Sequence, residues 1–267
     1  MINHFFSFDI GSFTYLIKKY FSISPIDISS FIQLKLKIMT NIEKLPKESN
    51  RDFALRIIRK NLINLELKPG TMISEQDIAD ELNLSRTPVH EALQELSSTK
   101  IIEILPQRGS LVSFVDMSLV DESVFMRSTI ESAVTKEACE KATQEDIDLL
   151  EENLTLQEFF YQKNNLEKIM ELDNAFHKAM YKIANKMQCH FIVSTMNIHY
   201  DRFRELRLHT SDPANIIADH KAILEAIKEK NSEKAKDLVL KHLNRLYTDE
   251  MEIRKKYPDY FIENSKK

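Results

Sequence analysis

Four residues in the second half of the chain have the types and spacing that bind a metal: Asp173, His177, His220 and His242. Asp173 and His177 lie four residues apart within Ile169, Leu172, Phe176, Met180 and Ile183, the apolar stripe of one helix, so both point inward one turn apart. His220 falls among Ile216, Ile217, Ile223, Leu224 and Ile227, and His242 among Ala235, Leu238, Val239 and Leu246. Each is a polar group where the pattern calls for an apolar one, and burying it unpartnered costs roughly a few kcal/mol. One divalent cation satisfies all four, because imidazole nitrogens with a carboxylate oxygen suit Zn first, and also Ni, Mn or Fe. Four separately hydrogen-bonded core groups are the alternative, and spacing alone leaves both open.

Three further residues interrupt apolar stripes. Arg127 and Glu131 stand at i, i+4 among Val120, Val124, Val134 and Ala138, which reads either as an internal ion pair or as a cation, Arg127, for an anionic effector. His199 shares a stripe with Ile192, Met196, Phe203 and Leu206, as a core histidine or an effector contact. Cys139 and Cys189 read as packing residues; two cysteines are too few for a disulfide framework and suit a reducing cytoplasm.

The elements that must position these groups are helical. From Met117 onward the chain shows no strand pattern, only helical runs near 118–142, 145–162, 165–185, 187–208, 213–229 and 232–254, which predict an all-α bundle over 118–254. Upstream, Ala54, Ile57, Ile58 and Leu62 mark a first helix. Ser74 caps a short helix with the apolar face Ile78, Ala79 and Leu82; Asn83 to Ser85 break it, and Ser85 caps a second helix burying Val89, Ala92, Leu93 and Leu96. Ser85, Arg86, Thr87 and His90 remain on the outer side of that helix's N-terminal end. IIEIL and SLVSFV then flank the turn Pro106-Gln107-Arg108-Gly109. Two helices and a basic-tipped hairpin make a winged helix-turn-helix over 50–115, whose second helix suits the major groove and whose wing suits the adjacent minor groove.

KPGTMISEQDIADELNLSRTPVHEALQEL followed by PQRGSLV resembles the DNA-binding domain of GntR-type bacterial transcription regulators. The resemblance implies that Arg86 reads bases and that Arg108 and Gly109 form the wing tip. His90 stands where the family carries a second Arg, and an imidazole cannot make the bidentate guanine contact of a guanidinium. DNAFH, DHKAILEAI and KHL resemble the effector domain of the FadR-like branch, as does the 22-residue step from His220 to His242. There the matching Asp and three His hold a metal in a helical (FCD) bundle.

The rest of the composition is compatible with this. Of 267 residues 43% are hydrophobic, with only 3 Gly and 7 Pro, which fits two mainly helical domains. Residues 50–115 hold eight Lys/Arg against nine Asp/Glu, so DNA binding rests on a local patch of Arg51, Arg56, Arg59, Lys60, Arg86 and Arg108. Residues 1–49 read as an atypical N-terminal extension, disordered or derived from a misassigned start, and 255–267 as a C-terminal tail. HFFSFDIGSFTYLI is too short and too interrupted for a membrane span. A metal-dependent enzyme acting on a small carboxylate is the competing class, but no HExxH, nucleophile motif or phosphate-binding loop supports it. A DNA-binding protein with a purely structural metal is the third. The expectation is a cytoplasmic regulator, not an enzyme: a homodimer on palindromic double-stranded operator DNA, sensing a small organic acid at the metal, with no membrane association.

Overall fold

A computed structural model of the chain describes residues 43–262. The predicted extension over 1–49 therefore lies outside the described residues as far as residue 42. Within residues 43–49, Ser49 caps the first helix, accepting a hydrogen bond from the Asp52 amide.

The N-terminal half is the expected winged helix-turn-helix. Helix α1 (Asn50–Ile63) buries Phe53, Ala54, Ile57, Ile58 and Leu62 and packs against α3. Helix α2 (Glu75–Leu82) starts at Ser74, whose hydroxyl oxygen accepts from the amides of Gln76 and Asp77. It stops at Asn83, which takes the left-handed conformation at φ 54° that short polar residues tolerate. Helix α3 (Arg86–Ser98) buries Val89, Ala92, Leu93 and Leu96, as its period predicts. Ser85 occupies the N-cap of α3 with extended backbone, but its hydroxyl makes no capping bond, a correction to the expected cap. Strands β2 (Ile102–Leu105) and β3 (Gly109–Val112) form the wing. A two-residue strand β1 (Met72–Ile73), too short to leave a periodic signal, adds to β3 and gives the antiparallel order β1-β3-β2. Gly109 is required here: its φ is +105°, and a Cβ would lie 2.8 Å from the Ile73 carbonyl oxygen.

The C-terminal half is the expected helical bundle, and no helix among the described residues is long and apolar enough to cross a membrane. Its elements are α4 (Met117–Lys141), α5 (Gln144–Gln162), α6 (Leu166–Ile183), α7 (Met187–Met196), α8 (Ile198–Leu208), α9 (Ala214–Lys228), α10 (Ser232–Asn244) and α11 (Glu250–Lys256). The predicted run 187–208 is broken at Asn197, a buried residue between α7 and α8 whose side chain bonds Asp201 at 2.9 Å. The predicted run 232–254 is divided by a 3₁₀ turn, Arg245–Asp249, where Arg245 is held on Asp219. One core joins α4, α5, α6, α8, α9 and α10.

The segment expected as a tail returns to the domain junction. The Val115 amide donates to Tyr260 at 2.7 Å and the Ile262 amide to Val115 at 3.1 Å, while Phe261 is buried against Phe203. The buried Phe261 ring, part of the bundle core, accounts for the departure; residues 263–267 lie outside the described residues.

Candidate metal centre and DNA-contacting face

Three helices bring the four metal-ligand candidates together. α6 carries Asp173 and His177, α9 carries His220 and α10 carries His242. One donor atom from each lies within 4.8 Å of all the others, and all four residues are buried. The His177 and His242 Nε2 atoms are 3.2 Å apart, and His220 Nε2 lies 3.6 Å from Asp173 Oδ1 without a hydrogen-bond partner.

The outer edge of each ring explains why these nitrogens converge. His220 Nδ1 is 3.0 Å from Gln157 Oε1, His177 Nδ1 is 2.8 Å from Glu131 Oε2, and His242 Nδ1 is 3.4 Å from Asp219 Oδ2. Gln157 and Asp219 stand as acceptors at His220 and His242 Nδ1, and Glu131 lies beside His177 Nδ1, which favours an Nε2 lone pair facing inward on each ring. Two lone pairs 3.2 Å apart, a third unpartnered and a carboxylate oxygen between helices form a repulsive arrangement that a cation relieves. The donor set, three imidazoles and one carboxylate, fits a borderline divalent ion.

Electrostatics favour the neutral form of His220 and His242 and the ionised form of Asp173. Burial, followed by the neighbouring His242, pushes His220 well below the ordinary histidine range, and burial lowers His242 despite its bond to Asp219. Burial alone would raise the Asp173 carboxyl, but Arg204, whose Nη1 lies 2.6 Å from Oδ2, and the surrounding imidazoles hold it below the carboxylate range. At Glu131 burial is likewise outweighed by Arg127, with Nε 2.6 Å from Oε1, and by His177. Arg127 therefore makes the ion pair, and through Glu131 it orients a ligand candidate.

A cavity of about 990 Å³ opens beside the cluster. Arg127, Glu131, His177 and Tyr181 line its bundle side, and α1 lines the other with Arg56, Arg59, Lys60 and Ile63. His199 is not among the lining residues. Its Nε2 donates to the Thr99 carbonyl, 2.7 Å away at the C-terminal cap of α3, so the expected effector contact is corrected to a contact between the two halves of the chain.

The DNA-facing candidates separate in a similar way. Ser85, Arg86, Thr87, His90 and Arg108 are exposed and Gly109 is half-buried at the wing. Glu75, at the start of α2, gathers two of them, with Oε1 2.7 Å from His90 Nδ1 and Oε2 3.2 Å from Arg86 Nη2. The α1 members of the expected basic patch are used elsewhere. Arg56 pairs both nitrogens with Glu48 at 2.7 and 2.8 Å, Arg51 pairs with Glu95, Lys60 with Glu167 at 2.9 Å, and Arg59 donates to the Ser194 and Thr195 carbonyls at the end of α7. The sequence expectation of a DNA-contacting Arg56 is thus met by an intramolecular pair on the cavity wall.

Sequence reasoning missed Gln157, Asp219 and Arg204. Gln157 was detectable, since it continues the buried stripe Ile147, Leu150 and Leu154 just as the histidines interrupt theirs. Arg204 had no such signal: it lies off the stripe of His199, Phe203 and Leu206, although nearly all of this helix is buried.

Comparison with known proteins agrees with both halves. Residues 51–112 match the family described as bacterial regulatory proteins, gntR family, and residues 122–245 match the FCD domain. The chain is 30% identical over 209 residues to the HTH-type transcriptional repressor RspR of Escherichia coli K12, covering 78% of this chain and 92% of that protein. Among solved structures it superposes on E. coli McbR/YncC with a TM-score of 0.66 at 23% identity, covering 78% of this chain and 99% of the other. A transcriptional regulator GntR of Rhodococcus sp. RHA1 gives 0.61 at 21% identity, with 78% and 98% covered; these two likenesses establish the fold.

Proposed function

The chain belongs to the GntR family of bacterial regulatory proteins, as a transcription regulator with an FCD effector domain and not an enzyme, and from that premise we propose what it senses and how it binds DNA. The protein is a cytoplasmic homodimeric repressor on a pseudo-palindromic operator. Residues 50–115 bind the DNA and residues 118–254 bind the effector. Repression is supported by the name of the relative RspR. Dimerisation is supported by geometry: one recognition helix spans only a few base pairs, so a useful site needs two copies related by a two-fold axis. Arg86, with Ser85, Thr87 and His90, reads the major groove, and Arg108 with Gly109 approaches the backbone or minor groove.

Asp173, His177, His220 and His242 hold a divalent ion, Zn first. The observation that carries this is the set of three converging Nε2 atoms, each with a side-chain oxygen beside its own Nδ1. Bound there, the ion supplies a positive centre on which a carboxylate can coordinate. The ligand is a small organic acid in the cavity beside His177, with Arg127 and Tyr181 on the same wall. Arg127, already engaged with Glu131, acts by orienting His177 and adding positive charge.

The test measures metal content and operator affinity, with and without small carboxylates, for wild type, His220→Ala and Gln157→Ala. Wild type carries one ion per chain. His220→Ala carries none and loses the effector response. Gln157→Ala, which frees the His220 ring, binds the ion about 10–100-fold more weakly. A wild type without stoichiometric metal under metal-replete conditions overturns the reading.

A further inference from the structure

α8 stands between the metal-ligand cluster and the DNA-binding half, and it carries polar groups to both. On one face, Arg204 Nη1 lies 2.6 Å from Asp173 Oδ2 and Nη2 bonds Asn174. Tyr200 on the same side packs under Arg127, 4.4 Å from guanidinium carbon to ring centre, and Arg127 holds Glu131 against His177. On the other face, His199 donates to the Thr99 carbonyl at 2.7 Å, at the end of the recognition helix α3. One turn on, Arg202 donates to the Ser113 and Phe114 carbonyls at 2.6 and 3.0 Å, where the chain leaves the wing strand β3.

Arg202 makes this link stiff. It is 0% exposed, its Nε has no partner, and no carboxylate pairs with it among the described residues. Burial pushes it down to about 9. The two carbonyls are what compensates its charge, so a shift of α8 must carry Ser113 and Phe114 along or strand a buried guanidinium. Arg204 is similarly bound to Asp173. A helix gripped this tightly on opposite faces moves as a rod.

We propose that α8 is the relay between the two halves: Arg204 is the positioning residue that ties it to Asp173, and His199 and Arg202 pass its placement to the recognition helix and the wing. The input to this relay rests on the metal reading above; the route itself rests on the contacts of α8. Because the outputs are backbone carbonyls, the relay sets the pose of α3 and β3 without engaging the side chains that face DNA.

The experiment is amide hydrogen exchange on the full chain, with Zn²⁺ alone as the probe, and a mutant cycle in protein stripped of metal. In wild type, Zn²⁺ changes exchange at residues 100–102 and 113–115 at least 5-fold, while amides within α1 stay constant. In Arg204→Gln, compared at Zn²⁺ concentrations that saturate each protein, that change is lost, and Arg204→Lys, which keeps the charge beside Asp173, restores part of it. In the stripped protein, Asp173→Asn alters the same amides, and has no added effect once Arg204→Gln is present. Should Arg204→Gln fail to fold, His199→Leu, remote from every ligand candidate, is expected to lose the response at residues 100–102. An equal Zn²⁺ response in wild type and in the uncoupled variants, or additive effects of Asp173→Asn and Arg204→Gln, overturns the relay. A wild type that binds no Zn²⁺ removes the metal reading, and the metal-free cycle then decides the relay separately.

Discussion

At the tip of the recognition helix, Arg86 and His90 lean on Glu75 in contact with water, whereas in the bundle His177, His220, His242 and Asp173 face one another almost without access to it. Both groups are polar constellations built from two or more helices, but the surroundings impose different rules. Around Glu75 the partners are provisional: a phosphate or a guanine can replace the carboxylate, because solvent screens whatever is given up. In the bundle a side-chain oxygen stands beside every Nδ1 and the Nε2 atoms face one another or Asp173, a set that could hold a metal ion. An exposed constellation can exchange partners freely; a buried one specifies its ligand in advance.

The largest expected effect comes from breaking the buried constellation. With metal at a thousand times its Kd, wild type gains about 4 kcal/mol of stability, seen as a rise in Tm, while His220→Ala gains nothing. A metal-dependent rise in the variant equal to that of wild type would show that the four groups act separately.

A second expectation tests whether buried imidazoles are held neutral outside the cluster as well. Burial, with Arg202 nearby, pushes His199 from the ordinary 6.5 down to about 4. A histidine depressed in the folded state binds its proton more readily when unfolded. Its contribution is therefore complete above pH 6.5 and is lost as pH falls toward 4, by at most about 3 kcal/mol. His199→Leu should flatten that part of the stability–pH curve, measured by denaturant titration; an unchanged curve would mean that the ring is solvated.

On the exposed side, Arg86→Ala should cost about 1–3 kcal/mol of operator affinity and relax selectivity at one position per half-site, read by binding to a panel of single-base variants. The smallest effect sharpens the contrast. Glu75→Ala should alter global stability by less than about 1 kcal/mol, as an exposed pair does, yet change the base preference at the position read by His90. A large loss of stability there would place Glu75 with the buried groups instead.

Much of this was legible in the sequence because the informative signals are local. The interrupted stripes of α6, α9 and α10 located Asp173, His177, His220 and His242, and the cap, break and turn residues of 74–109 located the winged fold. What stayed hidden depends on partners far along the chain. Arg59 and Lys60 read as a basic patch but face Ser194, Thr195 and Glu167, more than a hundred residues away. Arg202 and Arg204 lie off the apolar stripe of their helix, and no local pattern records that both are buried. The break at Asn197 left no trace either, as a buried polar junction carries no period of its own.

The return of the chain end to Val115 has a consequence in time. The DNA-binding half is synthesised first and can fold while the bundle is still being made. The segment that bridges to the connector, Tyr260 to Ile262, is made only after the helices of the bundle. Until then Val115 lacks its hydrogen-bonding partners, and the nascent DNA-binding head is tethered to an unfinished bundle. Synthesis of Tyr260 to Ile262 is thus the event that closes this junction, and a product truncated before them bears the DNA-binding fold without it.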